Sequence, residues 1–210
     1  MTREESQHWL NTSLGVSRET MALLSAAEQL VVAANDEQNL IAKSTIANFW
    51  SRHIVDSAQL LLLSTDFPGT WLDLGSGAGF PGLIVALLTD RHVVLAEERR
   101  KRVEHLRAMV AHFDLSNRVS VLQGRVEQQH CEPFAVISAR AFAPLDRLFT
   151  MAHHLSSQKT LWLLPKGKSA ASELEAARRT WQGSFRIVPS VTDPDGAIIV
   201  ATDVQPRRRR

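Results

Sequence analysis

Asp73-Leu74-Gly75-Ser76-Gly77-Ala78-Gly79 places three glycines at alternate positions directly after a short apolar run, residues 71–74. Glycines in that setting let the chain turn sharply, bring a ligand against bare backbone and pack a strand closely on a helix. Pro81 follows near the start of a helical pattern, where its fixed φ suits the first turn. A second apolar run, residues 93–96, ends in Glu97. A carboxylate at the tip of a second strand can accept hydrogen bonds from both ribose hydroxyls. The two features together predict a nucleoside-containing ligand and leave open which one.

Two readings of the loop compete. Gly77-Ala78-Gly79-Phe80-Pro81-Gly82 satisfies the dinucleotide fingerprint GxGxxG, a weak signal alone. Its register is poor, because the strand ends before the match begins. Counted from the strand the pattern is D-x-G-x-G-x-G, which resembles the cofactor loop of S-adenosylmethionine-dependent methyltransferases with a Rossmann-like core. On that reading Asp73 helps to place the amino-acid end of the cofactor, directly or through water. Val126 and Glu127, in the turn after a third run, then border the adenine. Arg140 follows a fourth apolar run. Strand carboxyl ends form the ligand crevice of an open parallel sheet, so Arg140 is expected beside the transferable methyl. The run Arg99-Arg100-Lys101-Arg102 reads mainly as the solvated face of a helix.

The elements that must position these residues follow from periodicity. Apolar positions at helical spacing predict helices over 20–38 and 44–63. From Thr70 short apolar runs at 71–74, 93–96, 119–122, 135–138 and 161–164 alternate with helical patterns at 81–88, 99–113, 144–154 and 169–181. That order predicts a parallel sheet with helices on both faces. Residues 186–191 and 198–201 are joined too tightly for a crossover helix, so they must pair antiparallel. We expect a helical extension over 1–66, a core over 67–204 and a basic tail over 205–210.

Composition narrows the classes. The 210 residues carry 24 basic and 22 acidic side chains, and four of the basic ones are the terminal run 207–210. The body is therefore near neutral, and bulk charge does not point to nucleic acid. No apolar stretch approaches the roughly 18 residues of a membrane span, and the N-terminus carries no apolar signal core. The single cysteine, Cys131, excludes an internal disulfide and any multi-cysteine metal site. A cytoplasmic protein without a metal is expected.

Asn39-Leu40, Arg52-His53-Ile54-Val55-Asp56-Ser57, the glycine loop with Phe80-Pro81-Gly82, Lys101-Arg102-Val103, Arg125-Val126-Glu127 and Ser138-Ala139-Arg140-Ala141-Phe142 occur in this order. They resemble the glucose-inhibited division protein B family, also called RsmG, over roughly residues 20–203. These are bacterial methyltransferases of guanine N7 in the 530 loop of 16S ribosomal RNA. The resemblance implies an α/β, Rossmann-like class I fold. It has a seven-stranded, mostly parallel sheet with one antiparallel strand and an N-terminal helical addition. It implies S-adenosylmethionine as cofactor, contacted by Gly75, Phe80, Val126, Glu127 and Arg140, to which the loop pattern and the strand-tip acid add Gly77, Gly79 and Glu97. It also implies 16S rRNA or the 30S subunit as partner, and a monomer. Lys166-Gly167 matches a family Lys-Gly element that faces the RNA. Asn39, Arg52, His53 and Asp56 are expected as a polar cluster beside the pocket, with Arg140, Asn39 and His53 serving catalysis and Arg52, Asp56 and Lys166 the RNA. Two departures stand out: the second-strand acid is Glu97 where the family often has Asp, and Ala139 separates Ser138 from Arg140.

Guanine N7 already carries a lone pair, so its methylation needs no proton removed first, and alignment of N7, carbon and sulfur carries most of the catalysis. Other acceptors on the same core, another RNA, a protein or a small molecule, remain open because fold does not fix substrate. A nicotinamide-dependent reductase and a non-catalytic ribosome-binding protein are the more distant alternatives. Any RNA affinity must come from a local patch, for which Lys166, Lys168, Arg140 and Arg125 are the candidates.

Overall fold

A computed structural model describes residues 1–207. Of the arginine tail, Arg208 to Arg210 lie outside the described residues. Seven strands form one sheet: β1 (Trp71–Leu74), β2 (Val93–Glu97), β3 (Val119–Gln123), β4 (Val136–Ala139), β5 (Leu161–Lys166), β6 (Trp181–Pro189) and β7 (Ala197–Pro206). Their order is β3-β2-β1-β4-β5-β7-β6, and β7 alone runs antiparallel to its neighbours. The order reverses between β1 and β4, which makes the carboxyl ends of those two strands the place for a ligand crevice.

The central strands are apolar on both faces because helices cover both. β1, β4 and most of β5 are buried throughout. On one face α4 (Gly82–Leu88), α5 (Arg100–His112) and the N-terminal helices share a core that includes Trp71, Leu83 and Ile54. On the other, α6 (Leu145–Ala152) and α7 (Ala170–Ala177) enclose Phe149, Trp162 and Trp181. α1 (Arg3–Leu14) and α2 (Arg18–Gln38) belong to the first cluster through Leu10, Leu24 and Val31.

Three differences from the sequence expectations have physical causes. α1 buries only Ser6 and Leu10, so its apolar period is faint. Its ends are nonetheless well marked: Thr2 and Glu5 form a capping box, and Gly15 closes it at φ 63°. Residues 44–63, expected as one helix, are instead a 3₁₀ segment (Lys43–Asn48), a π segment (Trp50–Val55), one α turn, α3 (Asp56–Ala58), and a second 3₁₀ segment (Gln59–Leu63). Such π insertions widen a helix and recur at functional sites. Trp181, expected to end a helix, opens β6, because its indole donates to Asp146 (3.0 Å) and its ring packs on Phe149. β6 is an edge strand with polar residues at Gln182, Ser184 and Arg186, so its first half does not read as a strand.

Candidate active site

Asp73 and Ser138 stand side by side in the parallel pairing of β1 with β4. That register lets Ser138 Oγ donate to Asp73 Oδ1 (2.8 Å) while accepting from Trp71 Nε1 (2.8 Å). The other carboxylate oxygen, Oδ2, accepts from the Gly82 amide at the start of α4 (3.1 Å). Asp73 is 0% exposed and lines neither cavity described below. It ties both ends of the glycine loop together from beneath. Burial pushes its carboxyl up to about 6, against the pull of the Ser138 and Gly82 hydrogen bonds.

Between those ends the backbone is in the left-handed region at Gly75 (φ 66°), Gly77 (57°) and Gly79 (105°). Gly75, Gly77 and Gly82 serve different needs. A Cβ on Gly75 would lie 2.5 Å from the Phe142 ring, and one on Gly82 would lie 2.4 Å from Leu95. A Cβ on Gly77 would meet nothing closer than 3.7 Å, yet Gly77 and Gly79 are both buried and line neither cavity, so of the three loop glycines Gly75 is the one that faces the ligand space.

Glu97 closes the cradle. Its Oε2 accepts from the Gly77 amide (3.0 Å) and its Oε1 from the Arg99 amide (2.9 Å), leaving lone pairs on both oxygens. Arg102 stands 3.9 Å from Oε2. Glu97, Gly75, Val126 and Glu127 line a cavity of about 380 Å³. Arg99 and Arg102, read as a solvated face, line it too, together with Arg125 and Arg147; Arg100 and Lys101 are exposed. Bare loop backbone, a carboxylate with free acceptor positions and the apolar Val126 fit the chemistry of an adenosine-bearing cofactor.

A larger cavity of about 590 Å³ adjoins, and residues 141–144 line both. Arg140, one residue beyond β4, occupies its wall. Ala139 remains a paired, buried strand residue opposite Leu74, so the departure there leaves Arg140 at the strand's mouth. The guanidinium donates from Nη1 to the Arg52 carbonyl (2.7 Å) and Asp56 (3.3 Å), and from Nη2 to His53 Nδ1 (3.0 Å). A guanidinium only donates, so His53 Nδ1 must be the acceptor and the ring proton sits on Nε2. Nε2–H then donates to Thr45 Oγ1 (2.9 Å), which donates to the Ala42 carbonyl (2.7 Å). Burial, with Arg140 and Arg52 nearby, lowers the His53 pKa to about 3. The imidazole is a neutral strut. It stacks on Phe80 with centroids 5.0 Å apart, and Phe80 itself is buried and lines neither cavity.

The π segment makes this convergence possible, because it carries Arg52 and His53 and leads directly into Asp56. Gln59, which the sequence reading passed over, extends the network: its Oε1 accepts from Val191 N (3.0 Å), which pins the β6–β7 loop to this helix. Arg52 pairs with Asp193 of the same loop at 2.6 Å.

Two assigned residues lie differently from expectation. Asn39 is not part of the polar cluster: it is exposed, outside both cavities, and closes α2 in the left-handed conformation at φ 48°. Its signature was that of a helix C-cap. Lys166 lines the larger cavity, yet its ammonium is spent on the Ala143 carbonyl and Glu173 Oε2, both at 2.8 Å. It is a brace for residues 140–144, not a free phosphate contact. Glu173 also accepts from Leu145 N at the start of α6 (3.2 Å). Burial raises the Glu173 pKa, but the Lys166 and Ser169 bonds outweigh it and the net shift is downward. Of the expected patch, Lys166, Arg140 and Arg125 are paired with Glu173, Asp56 and Glu98, and Lys168 is exposed with no ion pair among the described residues. Among the described residues, every lysine or arginine lining the larger cavity has a carboxylate partner in its wall: Arg140 with Asp56, Arg52 with Asp193, Lys166 with Glu173.

The family model for rRNA small subunit methyltransferase G matches residues 21–195. A ribosomal RNA small subunit methyltransferase G from Rhizorhabdus wittichii is 53% identical over 209 residues, covering 99% of this chain and 95% of the relative. One from Zymomonas mobilis is 49% identical and covers 100% and 98%. The chain belongs to the rRNA small subunit methyltransferase G family. Among solved structures, an O-methyltransferase from Bacillus cereus in complex with SAH aligns with a TM-score of 0.62 at 15% identity, over 95% of this chain and 97% of that one. The glycopeptide N-methyltransferase MtfA complexed with sinefungin aligns at 0.60 and 11% identity, over 71% and 94%. At those identities the likeness is one of fold: the seven-stranded class I methyltransferase sheet. Among the described residues no helix is long and apolar enough to cross a membrane, and no group of three or more His, Cys, Asp or Glu is placed to hold a metal ion.

Proposed function

We propose that this chain methylates N7 of a guanine in the 530 loop of 16S ribosomal RNA, with S-adenosylmethionine as the donor. The observation that carries the reading is the pairing of two cavities at the β1–β4 reversal. One is built from bare glycine backbone and Glu97, the other is bounded by Arg140 and the helix of residues 43–63, and residues 141–144 lie between. Glu97 takes the ribose hydroxyls, Gly75 admits the donor against the backbone while Gly77 and Gly79 shape the turn beneath it, and Val126 with Glu127 borders the adenine. Phe80 acts from beneath, by supporting His53. Asp73 shapes the loop and does not touch the cofactor.

The donor supplies an electrophilic sulfonium methyl. N7 forms the new bond with its own lone pair as the carbon–sulfur bond breaks, so no proton has to be taken first. This suits a site in which His53 is neutral and its one lone pair is already engaged by Arg140. What remains for the chain is alignment, which can supply about 7–11 kcal/mol of a barrier when the reacting atoms are well oriented. The alkylated base is cationic. A cavity whose charges are internally paired accepts that cation without a repulsive excess of positive charge. Arg140 and His53 are positioning residues, holding the helix of residues 43–63 against the end of β4. Arg52 and Asp56 complete that wall.

We infer further that residues 1–66 form a helical addition to a core that begins near residue 67, and that the protein works as a cytoplasmic monomer. A reductase is disfavoured by the register of the loop. Equilibrium binding of labelled S-adenosylmethionine against NADPH, followed by transfer to 30S subunits, naked rRNA and protein, tests the reading. Preference for NADPH, or transfer to protein alone, would reject it.

A further inference from the structure

Phe142 is the one aromatic side chain that lines both cavities. Its ring lies so close over Gly75 that a Cβ there would come within 2.5 Å of Cδ2. It is half-buried, whereas the other phenylalanines packed on His53 are sealed: Phe80 lies beneath His53 and Arg140, and Phe49 is fully buried behind them. The backbone that carries it is held on both sides. Arg140 is fixed by three hydrogen bonds, and the Ala143 carbonyl accepts from Lys166, itself paired with Glu173. Ala141 between them has φ 51°, a left-handed conformation that alanine adopts at a cost. A surface loop without a task would not need two braces and a strained residue to hold one half-buried ring.

Enzymes that modify a base take it out of the stack and hold it against aromatic or apolar side chains. In the larger cavity the aromatic candidates are His53 and Phe142. His53 has its ring face against Phe80 and both nitrogens engaged, and it is 6% exposed. Phe142 is the ring left free.

We propose that Phe142 is the stacking platform for the target guanine, and that it forms the partition between the cofactor and base cavities. This rests on the methyltransferase reading above. The ring sets the plane of the base, and through that plane the direction of the N7 lone pair. Gly75 must lack a side chain so that the platform can sit directly at the mouth of the loop. The paired charges of the cavity wall then serve the edge of the base, and the ring serves its face.

The test compares Phe142→Ala with Phe142→Trp. Stacking on an aromatic side chain is worth about 1–3 kcal/mol per base, so Phe142→Ala is expected to lower kcat/KM for 30S methylation about 5- to 150-fold. Binding of labelled S-adenosylmethionine should fall by much less than the rate, since Phe142 is one wall of that cavity among many, the thermal midpoint should hold, and Phe142→Trp should restore most of the rate. A second readout needs no turnover. A 530-loop RNA hairpin with 2-aminopurine in place of the target guanine should lose fluorescence on the wild-type protein and keep it on Phe142→Ala. Full activity in Phe142→Ala, or a parallel loss of cofactor binding that Phe142→Trp does not rescue, overturns the proposal. Quenching by a wild-type protein that transfers no methyl to RNA would instead reject the methyltransferase reading and leave the stacking role standing.

Discussion

Arg140 Nη2 lies 3.0 Å from His53 Nδ1, and this contact fixes the tautomer of a histidine that burial keeps neutral. It joins the end of β4 to a helix that the sequence places more than eighty residues earlier. The same guanidinium holds the Arg52 carbonyl and Asp56, so two residues of the π segment and the first residue of α3 depend on one side chain.

Replacing Arg140 with Ala is expected to abolish most methyl transfer with the fold intact. A displacement of about 1 Å at the reacting centre can cost roughly 100-fold, so kcat/KM is expected to fall by about that factor or more. Arg140→Lys should rescue little, because an ammonium cannot span the fork of acceptors that the guanidinium does. Steady-state kinetics on 30S subunits, beside circular dichroism of each variant, checks both.

Glu97→Ala removes the acceptor for the Gly77 and Arg99 amides as well as the proposed ribose contact. Hydrogen bonds to a charged group are worth about 1.5–3 kcal/mol each, so S-adenosylmethionine affinity is expected to drop roughly 10- to 100-fold. Calorimetric Kd values for Glu97→Ala and Glu97→Gln measure this, with the amide variant retaining more affinity.

The glycines should respond in a graded way. Gly75→Ala and Gly82→Ala each drive a Cβ to 2.5 Å or less from a neighbouring side chain and should lose cofactor binding. Gly77→Ala meets nothing within 3.7 Å and carries mainly the left-handed strain of about 1–2 kcal/mol. Its loss should be the smallest of the three in the same titration.

His53 makes stability depend on pH. Its pKa is about 3 in the folded chain against 6.5 ordinarily, so the unfolded chain binds the extra proton first. The contribution is complete above pH 6.5 and is lost as pH falls toward 3. Asp73, raised to about 6 from 3.8, works the other way: its contribution is present below 3.8 and gone by about 6. Urea midpoints of wild type and His53→Gln at pH 5 and 7 isolate the histidine. The wild type should lose more on acidification than the variant does.

Much of this was legible in advance, and the reasons are specific. The β1 run, the glycines and Glu97 are local signals: alternation, special φ and an acid at a strand tip all lie within 27 residues of one another. The reversed hairpin followed from a loop too short for a crossover. Function at Asn39 and Lys166 did not follow, because a helix cap and a buried brace use the same polar types as a binding site. The split of residues 43–63 into 3₁₀ and π segments leaves no sequence mark, since the apolar spacing tolerates either winding. Gln59 and Asp193 gain their roles only from the β6–β7 loop, more than 130 residues from the helix it meets.

Mapping the methylated atom tests the central claim most directly. 30S subunits lacking the modification would be incubated with the protein and S-adenosylmethionine, and the 16S RNA then cleaved chemically at 7-methylguanine. A single new cleavage at a guanine of the 530 loop, absent with Arg140→Ala, is the predicted result. Incorporated methyl with no cleavage there, or label recovered on ribosomal protein, would contradict it.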